Sequence, residues 1–261
     1  MIGQCKLVEF INNVTLDSCP RSIILNGEFG SGKHTLCEAL KNHLGIELRD
    51  ISDEINVELL EEISQRPEPY LYLINTNNFK INDQNAILKF IEEPLKNAYI
   101  VILTECKNKL LPTILNRCQV FDLEPYSTKD LILYSNEIQD EDILSRIVRT
   151  PGRLKILKSY DISNLYLFAE KIVTKLHLAS FNNAFKILDK IAFDNEKDKY
   201  EPKILVDFIL YYINRIIKQD NNNKYLDAYK LTSKLASDML ILNIDNRYLF
   251  KNYISNMWLL M

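Results

Sequence analysis

Glycine and proline are scarce in this chain. Six glycines and eight prolines in 261 residues are too few for the turns of a many-stranded sandwich or barrel, so a helix-rich architecture is expected. An excess of one charge is missing too: 32 Lys and Arg stand against 35 Asp and Glu, a formal charge of −3. That balance excludes a global electrostatic drive toward DNA or an anionic membrane and leaves such contacts to a local patch or to partners. The five cysteines, at positions 5, 19, 37, 106 and 118, include no C-x-x-C pair. An odd, scattered set excludes a disulfide framework and a zinc module, and fits a reducing compartment. No apolar run approaches the roughly 18 residues of a membrane span, and the opening "MIGQCKLVEFINNV" has no basic-then-apolar leader. A soluble cytoplasmic protein with no membrane partner is the expectation.

Apolar residues are plentiful. They make up 47% of the chain, enough for a sizeable core in one large domain or two to three small ones. In the first half, strand-like runs alternate with helical patterns. "SIIL" (22–25), "IELRDI" (46–51), "YLYLI" (70–74), "AYIVIL" (98–103) and "CQVFDL" (118–123) read as strands. Leu36, Leu40 and Leu44 mark one helix face, Val57, Leu59, Leu60 and Ile63 another, and "DQNAILKFIEE" (83–93) a third. Asn82 or Asp83 is expected to cap that third helix and Pro94 to close it. Strands separated by helices argue for a parallel sheet in three layers. From about Tyr126 the strand signals stop, and from about Ser163 longer helices follow, "KILVDFILYYINRIIKQ" among them. The expected fold class is α/β plus all-α, with divisions near 126 and 163.

The stretch "GEFGSGKHTL" (27–36) carries the chemistry. Gly27-x4-Gly32-Lys33 matches the first seven positions of a phosphate-binding loop, between an apolar strand and an amphipathic helix as that loop requires. Glycines let backbone N–H groups turn in around a phosphate, the helix N-terminus adds its dipole, and Lys33 would neutralise the terminal phosphates. The eighth position departs: His34 stands where a Ser or Thr hydroxyl helps hold magnesium. His34 either faces solvent or sits beside the phosphates. Thr35 follows, but one helical step is a rotation of about 100° and turns it elsewhere. After "YLYLI" an acidic strand end is needed, and the chain reads Asn75-Thr76-Asn77-Asn78. Such a loop can cradle nucleotide and should hydrolyse it poorly.

Three further stretches, "NDQNAILKFIEEP" (82–94), "LLPTILNRCQVF" (110–121) and "TPGRLKIL" (150–157), resemble diagnostic segments of bacterial clamp-loader subunits of the AAA+ class. The resemblance runs over about 22–160 and continues into "NIDNRYLFKNYISNMWLL". Degenerate ATPase elements beside a kept arginine motif, here Asn116-Arg117-Cys118, are similar to the delta-prime type of the DNA polymerase III complex. The resemblance implies an AAA+ P-loop core with a parallel sheet at 1–125, a small helical lid at 126–163 and a helical collar at 164–261. It implies that Arg117 acts in trans as an arginine finger, with Thr104 at the sensor-1 and Arg153 at the sensor-2 position. Each has a plainer alternative: a surface ion pair for Arg117, a strand end for Thr104, packing for Arg153. The nucleotide-binding set is then Gly27, Gly30, Gly32, Lys33, His34, Thr35, Thr104 and Arg153. ATP or ADP would be held weakly or not at all, with no zinc and no magnesium site. Implied partners are gamma- or tau-like ATPases, a delta-like subunit and, through the assembled complex, the sliding clamp and primer-template DNA. Two rival readings are a self-sufficient AAA+ motor, against which the missing carboxylates count, and a P-loop phosphotransferase, which leaves the helical last hundred residues unexplained.

Overall fold

The computed structural model describes residues 4–55, 59, 62–63, 66–77, 79–92, 97–134, 143–192, 201–219, 223–242 and 244–261. It divides into two compact units, Met1–Tyr134 with Thr150–Gly152, and Ser135–Arg149 with Arg153–Met261.

The first unit is built on a five-stranded sheet: β1 (Ser22–Asn26), β2 (Glu47–Asp50), β3 (Tyr70–Asn75), β4 (Ala98–Thr104) and β5 (Gln119–Asp122). Their order is β2-β3-β4-β1-β5, and every pairing is parallel. All seven residues of β4 are buried, as a central strand covered on both faces must be. The period of two sorts its side chains. Tyr99, Val101 and Leu103 join Ile23, Leu25, Leu71 and Leu73 on one face, under helices α1 (Cys5–Asn13) and α2 (Lys33–Leu44). Ile100 and Ile102 join Ile24, Tyr72 and Ile74 on the other, under α3 (Ile81–Glu92) and α4 (Pro112–Leu115). The three layers expected from the alternation are present.

Some local expectations shift. Helix α1 was not expected, yet Leu7 and Ile11 are one turn apart and both buried. Helix α3 begins two residues before "DQNAILKFIEE", and Asp83 acts from inside it: its Oδ2 accepts the Lys80 N–H at 2.8 Å. An acid at the third helical position that reaches back in this way is half of a capping box. Val57, Leu60 and Pro94, on which a helix and a helix end were expected, lie outside the described residues.

The second unit is helical throughout its described residues apart from turns, loops and one bridge residue. Helix α5 (Thr128–Tyr134) closes the first unit's main segment and α6 (Pro151–Leu157) runs from the first unit into the second; after them the second unit has α7 (Ile162–Lys175), α8 (Pro202–Gln219), α9 (Asn223–Ile241) and α10 (Asn246–Leu260). Asp161 caps α7 by accepting from the N–H of Ser163 and Asn164, and Asp245 caps α10 through Arg247. Helix α8 packs against α7 and α9, and α9 against α10. Its interior is apolar, with Phe208, Ile209, Ile213, Phe250 and Ile254 buried; the buried Thr232 hydroxyl pairs with the Tyr253 hydroxyl at 3.0 Å. "FNNAFKILDKIAF" was expected as one longer helix and instead makes a single turn at Phe181–Ala184 followed by a 3-10 stretch, Phe185–Lys190. Among the described residues no helix is long and apolar enough to cross a membrane.

The cysteines share no ligand geometry among the described residues. Burial pushes the thiol of Cys19 up to about 11 and those of Cys37 and Cys118 up to about 12, whereas Cys5 is exposed. A thiolate is the reactive form. At neutral pH an aromatic disulfide reagent should therefore label the exposed Cys5 at once and the buried Cys19 and Cys37 only after denaturation. Prompt native labelling of Cys37, counted by mass, would contradict this packing.

Candidate functional site

Strand β1 delivers the chain to Asn26, and α2 begins at Lys33. Gly30 and Gly32 take φ values of 74° and 91°, left-handed values that glycine adopts without penalty. A Cβ on Gly27 would come within 2.9 Å of Leu123 and of the Ser31 hydroxyl. The glycines of "GEFGSGK" are thus required by the turn itself.

Every carbonyl of this loop accepts a hydrogen bond. The Lys33 ammonium donates to Gly27 O and, at 2.9 Å, to Glu28 O. Thr150 Oγ1 donates to Phe29 O at 2.8 Å, and the Gly152 N–H to Gly30 O at 3.0 Å. Tyr126 donates through its hydroxyl to Ser31 O at 2.9 Å, and the Leu36 N–H closes on Gly32 O. Lys33 is 7% exposed, so its charge is largely withdrawn from water and these carbonyls stand in for the lost hydration. In contrast, the buried Ser31 hydroxyl has no hydrogen-bond partner among the described residues.

The loop is tied to the central strand through Gly27, whose N–H donates to Thr104 O at 3.1 Å. The structure therefore brings Gly27, Gly30, Gly32, Lys33 and Thr104 together. Thr104 is 2% exposed and its hydroxyl accepts the Cys106 N–H at 3.2 Å, so it shapes the turn that leaves β4. His34 and Thr35 are both exposed on the first turn of α2. The end of β3 is held by amides and hydroxyls: Thr76 donates to Leu103 O at 3.0 Å, Asn77 Oδ1 accepts the Glu105 N–H at 3.0 Å, and Asn75 Oδ1 accepts the Asn77 N–H. Asn78 lies outside the described residues. Carboxylates do gather nearby, where Asp50, Asp53 and Asp83 line a cavity beside Asn75. They come from the end of β2 and from α3, not from β3.

Arg153 belongs to the second unit, where it pairs with Asp207 of α8; both side chains are nearly buried, at 11% and 13% exposure. Arg117 lies in the turn between α4 and β5. Strands β1 and β5 are parallel, with Ile23 opposite Gln119 and Asn26 opposite Asp122. The loop leaves the exit end of β1, whereas Arg117 precedes the entry end of β5. The length of β5 separates them, about 10 Å or more at 3.3 Å per residue. Arg117 is 41% exposed; its Nη2 meets Glu92 at 3.0 Å and its Nη1 donates to Thr113 O at 3.0 Å.

Chemically, the backbone offers what a phosphate needs: glycine turns, a buried ammonium and the N-terminus of a 12-residue helix. Three residues that hold this loop, two by side chain and Gly152 by its backbone N–H, were not singled out from the sequence. Tyr126 marked only a boundary, and Thr150 and Gly152 only a motif. A glycine is required at 152, because a Cβ there would lie 2.3 Å from Gly30 Cα.

A family model described as DNA polymerase III, delta subunit, matches residues 46–127. DNA polymerase III subunit delta prime of Bacillus subtilis (strain 168) is 26% identical over 191 residues, 69% of this chain and 57% of that protein. The protein of the same name from Haemophilus influenzae is 23% identical over 211 residues, 73% of this chain and 64% of that one. The chain thus spans only 57% to 64% of the length of these relatives. Among solved structures, the Thermotoga maritima RuvB Holliday junction branch migration motor covers 96% of this chain and 88% of its own, at 16% identity and a TM-score of 0.50. That likeness shows the fold alone, a parallel sheet followed by helices.

Gly152→Ala should force the 150–152 segment off the loop and cost about 1–3 kcal/mol, the usual range for overpacking. The check is a urea titration of the first unit's unfolding, with a lowered midpoint expected. An unchanged midpoint would mean that the close approach of Gly152 to Gly30 does not constrain the fold.

Proposed function

We propose that this chain, which belongs with the delta-prime-like clamp-loader subunits of DNA polymerase III, serves its complex as an arginine donor and a scaffold without hydrolysing ATP itself. The observation that carries this reading is the position of Arg117. It stands exposed at the entry edge of the sheet, a strand's length from its own phosphate loop, and so cannot complete its own site. A guanidinium so placed suits the γ-phosphate of a neighbouring ATPase subunit, where it would stabilise the charge that develops on the phosphoryl oxygens.

The chain's own loop supports the second half of the reading. Gly27, Gly30, Gly32 and Lys33 would hold the phosphates of ATP or ADP, and Lys33 would first have to leave the carbonyls of Gly27 and Glu28. Bound nucleotide would bring charge and a triphosphate lever to the loop; the residues around it lack the means to use them. His34 and Thr35 face solvent, and the side-chain oxygens of Asn75, Thr76 and Asn77 are hydrogen-bonded to neighbouring backbone, so among the described residues the end of β3 offers no magnesium ligand set. Arg153 would have to break its pair with Asp207 before it could reach a phosphate. Binding should accordingly be weak and only partly dependent on magnesium. In the same reading the core at 1–125 is followed by a lid at 126–163, and a collar at 164–261 assembles with the collars of gamma- or tau-like and delta-like partners. The clamp and primer-template DNA are reached through that assembly.

Isolated chain should turn over ATP at the background rate, unchanged by Lys33→Ala. Turnover near one per second that Lys33→Ala abolishes would favour the rival motor reading. In the reconstituted complex, Arg117→Ala should slow the ATP site it serves by about a thousandfold or more, the low end of measured arginine fingers. Arg117→Lys should not rescue it, because a point charge cannot reproduce the planar fork. Wild-type rates of clamp loading by the Arg117→Ala complex would refute the trans role.

A further inference from the structure

Glu92 is the last residue of α3 and Arg117 lies just beyond α4, and the two helices pack on one face of the sheet through Ile87, Phe90, Ile91 and Ile114. Their relative position is also fixed by Gln84, a buried amide on α3. Its Nε2 donates to Lys109 O at 3.0 Å and its Oε1 accepts the Leu111 N–H at 2.8 Å. Leu111 is the residue from which α4 starts. The platform beneath Arg117 is therefore tied to the helix that carries Glu92. We propose that Glu92 is the positioning residue for Arg117, fixing the orientation of its guanidinium for a neighbour's phosphate; the inference rests on the trans role of Arg117 proposed above.

The geometry suits that task. A free arginine side chain samples many rotamers and loses that freedom on engaging a ligand. Here one guanidinium nitrogen is held by Glu92 and the other by the Thr113 carbonyl. Among the described residues these engage two of the five donors, which leaves three for an anion. Both partners are more than two-fifths exposed, at 41% and 44%, so the pair adds little to stability. A pair that stabilises little and yet fixes a reactive group points to orientation as its use.

The test uses the complex reconstituted with its partner subunits, DNA and clamp, and reads ATPase kinetics. Glu92→Ala should lower kcat about three- to tenfold with KM for ATP unchanged, the mark of an interaction that matters only in the transition state. Glu92→Gln, whose carbonyl still accepts from Arg117, should lie nearer to wild type. On an Arg117→Ala background, Glu92→Ala should add nothing, because the group it orients is gone. The melting temperature of the isolated chain should not move. If Arg117→Ala lowers kcat and Glu92→Ala does not, or raises it, the positioning role is wrong and the trans role stands. An additive loss in the double variant also overturns the positioning role. If Arg117→Ala itself has no effect, the trans role fails and the positioning role falls with it.

Discussion

From Gly27 to Gly32, six successive carbonyls must find donors in a turn too tight to pair wholly with itself. What surrounds the loop follows from that need. Two donors are local, the N–H groups of Ser31 and Leu36; the rest are the Lys33 ammonium, the Tyr126 and Thr150 hydroxyls and the Gly152 N–H. Residues about 120 positions away in sequence are thereby recruited to the loop. Position 152 must be glycine, and Lys33 is buried because its charge serves the loop's own backbone. A lysine that neutralises phosphate in an active engine here also holds the turn closed.

Three cations carry most of the functional argument, and their surroundings sort them. Lys33 is buried among carbonyls, and Arg153 is nearly buried against Asp207. Removing a partner from either would strand a desolvated charge, which is costly. Arg117 is different: its pair with Glu92 is half-exposed, cheap to remake, and leaves donors turned to solvent. Of the three, Arg117 is the one whose engagement with an outside anion requires no buried charge to be stripped.

Much of this was legible beforehand, and the reasons differ by element. The inner strands β1, β3 and β4 were readable because parallel strands buried on both faces are apolar runs, "AYIVILT" above all, and the edge strands β2 and β5 from shorter apolar runs between helical patterns. The loop was readable because its glycines answer to backbone geometry. Helix α1 rests on the one-turn spacing of Leu7 and Ile11, too short a period to mark a helix by sequence alone. The break after Ala184 was missed because "FNNAFKILDKIAF" keeps an apolar period through the turn at Phe185. Tyr126, Thr150 and Glu92 could not be found from spacing at all. Each acts on a residue brought near by the sheet or by helix packing, and nothing local in the sequence records such a partner.

The polarity of the sheet gives these placements a common cause. All five strands run the same way, so the segment leaving each exit edge must return to the entry edge before the next strand can begin. Helix N-termini then collect at the exit edge, where α2 starts behind the glycine loop, and helix C-termini at the entry edge, where α3 ends at Glu92 and α4 at Leu115. Aligned peptide dipoles make the first edge favourable to anions and the second to cations. Arg117 answers to the second: it donates to Thr113 O, a carbonyl within the short helix α4 that has no place in a longer helical ladder. One chain therefore presents an anion-binding edge and a cation-bearing edge on opposite sides of the same sheet. Units of this kind set head to tail, a heterologous arrangement that closes into rings or spirals, would bring the guanidinium of each toward the phosphate loop of the next. On the proposed reading, a unit that does not hydrolyse ATP itself would still be needed in such an arrangement for the edge it offers its neighbour.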